Sequence, residues 1–142
     1  MKHVLKHEVS KEHYQSDACI VWCFDNRFSE LLDVFTRQEK FRDTDVVEIA
    51  GGIKDIANPS RQDEREYVLG QIEKSVRLHK TPLIVLMAHN NCGAYGGTED
   101  VAFYEQELRK AKKLVEEHLA QRNMQARVSA YFADFDGLHE LV

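Results

Sequence analysis

Two stretches of the chain carry apolar residues without interruption, Ala18-Cys-Ile-Val-Trp-Cys23 and Leu83-Ile-Val-Leu-Met-Ala88. Both are short for helices. Apolar character that is continuous rather than alternating is what a strand shows when covered on both faces, as in a parallel sheet. Asp45-Val-Val-Glu-Ile49 and Ala126-Arg-Val-Ser-Ala-Tyr-Phe132 are two further strand candidates. Leu138 to Val142, after an Asp136-Gly137 turn, reads as a short edge strand.

Between these runs the apolar period changes from continuous to helical. Phe28, Leu31, Leu32 and Phe35 form one stripe, and Val68, Leu69, Ile72 and Val76 a second. Val101, Tyr104, Leu108, Ala111 and Val115 form a third, entered near Thr98. Ser60 with Asp63 three residues later reads as a capping box opening the second helix. The alternation of strand and helix predicts one α/β domain over residues 1–142. It has three layers: a mostly parallel central sheet of four strands, plus the short edge strand, with helices on both faces. Ligands of such sheets bind beyond the carboxyl ends of the strands, where the strand order reverses.

The chain has 142 residues, 43% hydrophobic and 30% charged, with a net charge of −5. It lacks the basic stripe of a nucleic-acid binder. Arg109, Lys110, Lys112 and Lys113 fall within the third helical pattern and read as a solvated face. No run approaches the roughly 18 apolar residues of a membrane span, and the first residues do not resemble a secretory leader. The expected location is the cytoplasm, where its three cysteines serve thiolate or metal chemistry rather than disulfides.

Both long apolar strands end in metal-binding residue types. The first ends in Cys23-Phe24-Asp25-Asn26-Arg27 and the second in His89-Asn90-Asn91-Cys92-Gly93. If the two strands are neighbours, about 4.8 Å apart, Cys23, His89 and Cys92 converge on one point. Two thiolates and an imidazole are a zinc set, leaving a fourth position for water or for Asp25. Cys19 shares a strand face with Cys23 but lies about 13 Å back, too far for the same ion. A cysteine nucleophile at Cys23 or Cys92, paired with His89, is the rival use of these residues. Ala50-Gly51-Gly52 lacks the spacing of a phosphate loop and reads as a tight turn or a close backbone approach.

Cys23-x-Asp25-x-Arg27 followed by His89-x-x-Cys92-Gly93 resembles the signature of the β-class carbonic anhydrases. Ala50-Gly51-Gly52 and the closing Tyr131-to-Leu138 segment extend the resemblance over most of the chain from Ala18 onward. The chain departs from the pattern in a short N-terminal segment, in Asn26, and in Glu48-Ile49 before the Ala-Gly pair. The resemblance implies zinc-dependent hydration of carbon dioxide to bicarbonate, with Asp25 and Arg27 acting as a catalytic dyad. It also implies substrate contacts at Gln15 and Gly93, and a homodimer or higher homo-oligomer. Two alternatives stay open. One is hydrolysis of an analogue such as carbonyl sulfide or carbon disulfide; the other is a non-catalytic, zinc-stabilised binding or assembly domain.

Overall fold

A computed structural model describes residues 2–141. Five strands form one sheet: β1 (Ala18–Cys23), β2 (Thr44–Ile49), β3 (Leu83–His89), β4 (Arg127–Asp134) and β5 (Gly137–Glu140). Their order is β2-β1-β3-β4-β5. The first four run parallel, and β5 folds back antiparallel along β4. The expected edge strand therefore exists, starting one residue earlier than the hydrophobic run; Val142 lies outside the described residues.

Every residue of β1 and β3 is buried, because each of these strands has a neighbour on both sides and layers on both faces. Helix α1 (Ser29–Gln38) packs on the face that carries Ala18, Ile20, Trp22, Val85 and Met87. Helices α2 (Lys54–Ala57), α3 (Gln62–His79) and α4 (Val101–Gln121) cover the opposite face, which carries Cys19, Val21, Ile84 and Leu86. Of the expected stripes, Phe28 and Phe35, Val68, Leu69 and Ile72, and Tyr104, Leu108, Ala111 and Val115 are buried. Val101 is not; it is the first residue of α4, where Asp100 caps the helix by accepting from the Ala102 and Phe103 amides.

Two local expectations are corrected. The cap of α3 is built by Glu64 rather than Asp63: its Oε2 accepts from the amides of both Ser60 and Arg61 at 2.9 and 3.0 Å. Asp63 instead accepts from the Arg61 side chain, because the helix starts one residue later than expected, with Arg61 as N-cap and Glu64 at its third position. Helix α2, a single turn, went unforeseen because four residues show no period; Ile56 and Ala57 nevertheless bury completely.

Candidate metal centre

Strand β1 lies between β2 and β3, so the chain leaves β1 toward β2 on one side and then crosses from β2 to β3 on the other. This is the switch point at which open α/β sheets bind ligands. Cys23 is the last residue of β1 and His89 the last of β3, and the two strands are paired. Cys92 follows at the start of the Gly93–Tyr95 turn. The sulfur atoms of Cys23 and Cys92 and a ring nitrogen of His89 lie within 4.8 Å of one another, and all three residues are buried.

The histidine is prepared as a ligand. Its Nδ1 is 2.8 Å from the Asn90 carbonyl. A carbonyl only accepts, so Nδ1 carries the proton and Nε2 keeps its lone pair. That Nε2 is buried without any hydrogen-bond partner among the described residues. A buried polar atom left unpaired is costly, and a metal ion would satisfy it. The donor set of two thiolates and one imidazole nitrogen fits zinc.

The thiols are tuned as well. Cys92 hydrogen-bonds to the Cys23 sulfur; burial opposes the resulting drop, while His89 and the Gly51 amide, 3.3 Å from the sulfur, reinforce it. The Cys23 thiol is thus held well below its ordinary value, while the neighbouring Cys23 sulfur and burial push the Cys92 thiol up. In His89, burial disfavours the charged ring, but the Cys23 sulfur and the Asn90 carbonyl outweigh it and the value rises.

Gly51 and Gly52 make this approach possible. Both have left-handed backbones, with φ of 75° and 57°. A Cβ on Gly52 would lie 2.8 Å from the Met87 carbonyl oxygen and 3.2 Å from the Cys23 nitrogen. The expected tight turn is therefore also a close backbone approach, and its amide reaches the ligand sulfur, which spacing alone did not reveal.

Asp25 and Arg27 meet beside the ligands. The carboxylate accepts from the Arg27 backbone amide at 3.0 Å, from Nε at 3.0 and 3.2 Å, and from Nη2 at 2.6 Å. The Arg27 guanidinium holds the Asp25 carboxyl well below the usual range, at about 2. Its Oδ2 is 3.9 Å from His89 Nε2.

Gly93 begins the turn after Cys92, and a side chain there would meet nothing within 4 Å. Gln15 is exposed and precedes the start of β1, whereas the ligands stand at its other end. The fold therefore does not bring Gln15 to the centre within one chain. Cys19 stays in the core, its thiol pushed up to about 12 mainly by burial.

Several neighbours of the site escaped sequence reasoning. Asn91 accepts from Arg27 Nη1 at 3.1 Å and, through its carbonyl, from Nη2 at 2.9 Å. The Tyr104 hydroxyl accepts from the Cys92 amide at 3.0 Å and donates to the Thr98 carbonyl at 3.0 Å. The Phe28 ring lies 4.7 Å from that of His89 and 5.8 Å from that of Phe135. The one available signal was the polar pair Asn90-Asn91 between two ligands, where a turn needs residues that tolerate unusual backbone angles.

A family described as "Putative carbonic anhydrase" matches residues 13–142. The chain belongs to this carbonic anhydrase family. Its members' fold is found here too. The chain superimposes on the β-carbonic anhydrase isoform I of Trichomonas vaginalis with a TM-score of 0.61, at 15% identity, over 95% of this chain and 88% of that one. A second neighbour, from a study of two tetrameric β-carbonic anhydrases of Sordaria macrospora, gives 0.52 at 18% identity, over 91% and 82%. In sequence, a protein of Rickettsia bellii (strain RML369-C), described only as uncharacterised, is 26% identical over 99% of this chain and 93% of its own length. In this family member, the Cys23, His89 and Cys92 cluster and the Asp25–Arg27 pair lie at, or just beyond, the carboxyl ends of β1 and β3.

Proposed function

We propose that this protein is a zinc-dependent carbonic anhydrase converting carbon dioxide and water to bicarbonate, with Cys23, His89 and Cys92 as metal ligands. The observation that carries the reading is the pairing of an orphaned, buried His89 Nε2 with a carboxylate 3.9 Å away that an arginine restrains. A purely structural zinc takes four protein ligands, and the nearest fourth candidate, Asp25, is engaged by Arg27.

Bound zinc supplies a Lewis acid that lets water act as a nucleophile near neutral pH. The chain's own residues do the rest. The Asn90 carbonyl holds His89 in the tautomer that offers Nε2. Asp25, kept ionised by Arg27, accepts a hydrogen bond from the attacking water and so orients its lone pair. Phe28, whose ring lies 4.7 Å from that of His89, and Phe135 stacked on it supply apolar surface beside the site, as a small uncharged substrate would need, and Gly93 leaves open space beside Cys92. Two thiolates weaken the metal as an acid, so activity is expected to rise on the alkaline side.

The thiols must stay reduced, which favours the cytoplasm; no described helix is long and apolar enough to cross a membrane. We further propose that the single domain over residues 1–142 assembles as a homodimer or larger homo-oligomer. The exposed Val46 on the edge strand β2 and the exposed Val4, Leu5 and Val9 support this. A role for Gln15 in substrate contact requires that it reach the site of a second copy.

A second reading, a zinc that only clamps the strand ends, draws support from the near-complete burial of the ligands, at most 4% exposed. Stopped-flow hydration of carbon dioxide by zinc-quantified protein, at neutral and alkaline pH, decides between them. Turnover above the buffer rate, rising with pH, supports the hydratase. No turnover at full zinc occupancy sinks it, and carbonyl sulfide and carbon disulfide are then offered as substrates.

A further inference from the structure

We infer that Asn91 is a positioning residue: it fixes the Arg27 guanidinium and thereby keeps Asp25 off the fourth position of the metal. The inference rests on the zinc-centre reading above and gives a role to a residue that the second motif leaves unspecified.

Asn91 sits between two ligands with φ of 53°, a left-handed conformation that asparagine adopts more readily than most residues. Its amide donates to the Thr98 carbonyl at 3.0 Å. Its side-chain Nδ2 donates to the Gly97 carbonyl at 3.1 Å and to Glu99 Oε1 at 3.2 Å. Both of these partners only accept, so turning the side-chain amide over would set oxygen against oxygen. The loop therefore forces Oδ1 to face Arg27, where Nη1 reaches it at 3.1 Å; the Asn91 carbonyl takes Nη2 at 2.9 Å.

The guanidinium is thus gripped from two sides. Nε and Nη2 bind Asp25, while Nη1 and Nη2 bind residue 91. Arg27 lies on a short turn and its side chain is 47% exposed. Held by Asp25 alone, arginine and carboxylate could pivot together. Tied also to a loop anchored by His89 and Cys92, the pair has no such freedom. Asn91 hence converts a mobile surface ion pair into a fixed one.

The test uses cobalt in place of zinc, with azide as a probe that needs the fourth position. Thiolate-to-cobalt absorption reports loading, and the shift of the visible bands reports azide. Asn91→Gly keeps the left-handed backbone and its carbonyl but removes Oδ1. Cobalt loading is expected to be unchanged and azide affinity to fall about tenfold, the scale of one hydrogen bond to a charged group. In an Arg27→Ala background the same substitution should change nothing further, as coupled residues require. Unchanged azide affinity in Asn91→Gly overturns the inference, as does an equal loss in both backgrounds or a wild-type protein that takes cobalt but no azide. If Asn91→Gly does not fold, Arg27→Lys, whose single ammonium cannot span both Asp25 and residue 91, is expected to show the same loss, and unchanged azide affinity there overturns the inference. Wild-type protein that binds azide through cobalt but does not hydrate carbon dioxide would sink the hydratase and leave the role of Asn91 standing.

Discussion

Asp25 Oδ2 stands 3.9 Å from His89 Nε2, close enough to compete for any ion the imidazole binds, yet its strongest partner is Arg27 Nη2 at 2.6 Å. The arginine thus decides what the carboxylate does. Arg27→Ala should free Asp25 to approach the metal, and carbon dioxide hydration should fall by about a hundredfold, the scale of a positioned acid–base group. Zinc content should stay at one per chain. Unchanged turnover would remove the dyad from the mechanism.

Metal removal tests the ligand set. Bound ligand adds stability by mass action, about 4 kcal/mol when it is present at a thousand times its dissociation constant. Chelation should therefore lower the Tm, and zinc should restore it. Cys23→Ser, His89→Ala and Cys92→Ser should each abolish stoichiometric zinc. Cys19→Ala should not, since Cys19 is buried in the core on β1 outside the ligand cluster.

Gly52 tests the close approach. A Cβ there would press against the Met87 carbonyl oxygen at 2.8 Å in a left-handed backbone. Backbone atoms of β1 and β3 cannot give way without disturbing both ligand strands. Gly52→Ala should cost about 2 kcal/mol or more in urea unfolding and weaken zinc binding. Gly70→Ala, in α3 with open space around it, should be neutral or stabilising by up to about 1 kcal/mol.

A second polar cluster lies around Asp45 near the start of β2, at the opposite end of the strands from the candidate metal centre. Its carboxylate accepts from the Tyr14 hydroxyl at 2.7 Å, from Ser75 and from His79 Nδ1 at 2.9 Å. Burial raises its pKa, but these hydrogen bonds outweigh burial and leave it below the ordinary 3.8. A carboxyl lowered on folding stabilises the protein above its unfolded value, and that contribution fades as pH falls through the folded one. Asp45→Asn should therefore cost about 2 kcal/mol at pH 7, and the gap to the wild type should narrow below pH 4. Zinc content should not change. An undiminished gap at pH 3 would show that the cost comes from packing rather than charge.

Assembly is checked by light scattering of the zinc-loaded protein. A mass of two or more chains is expected; a monomer that still turns over would show that the site is complete in one chain.

Much of this protein was legible in one dimension. Continuous apolar runs marked β1 and β3 because a strand covered on both faces has no polar position to show. Stripes at helical spacing marked α1, α3 and α4, and the Cys and His residues at the strand ends named the candidate ligands by their chemistry. The four-residue α2 lies below the length at which a period can be seen. The cap of α3 moved from Asp63 to Glu64 because the helix begins one residue later than expected, with Arg61 rather than Ser60 as N-cap, which makes Glu64 the third helical residue.

Residue type and period along the chain thus determined the strands, the three long helices and the three candidate ligands. Only the tertiary structure decided that β1 and β3 are neighbours, and this is what brings Cys23, His89 and Cys92 within 4.8 Å. It alone also aimed the Gly51 amide at a thiolate, parted Gln15 from the site and set Asn91 against Arg27 across 64 positions of sequence. The physical reason is that a hydrophobic pattern records which side of a residue is buried, whereas hydrogen bonds between loops depend on directions that only the packed sheet fixes.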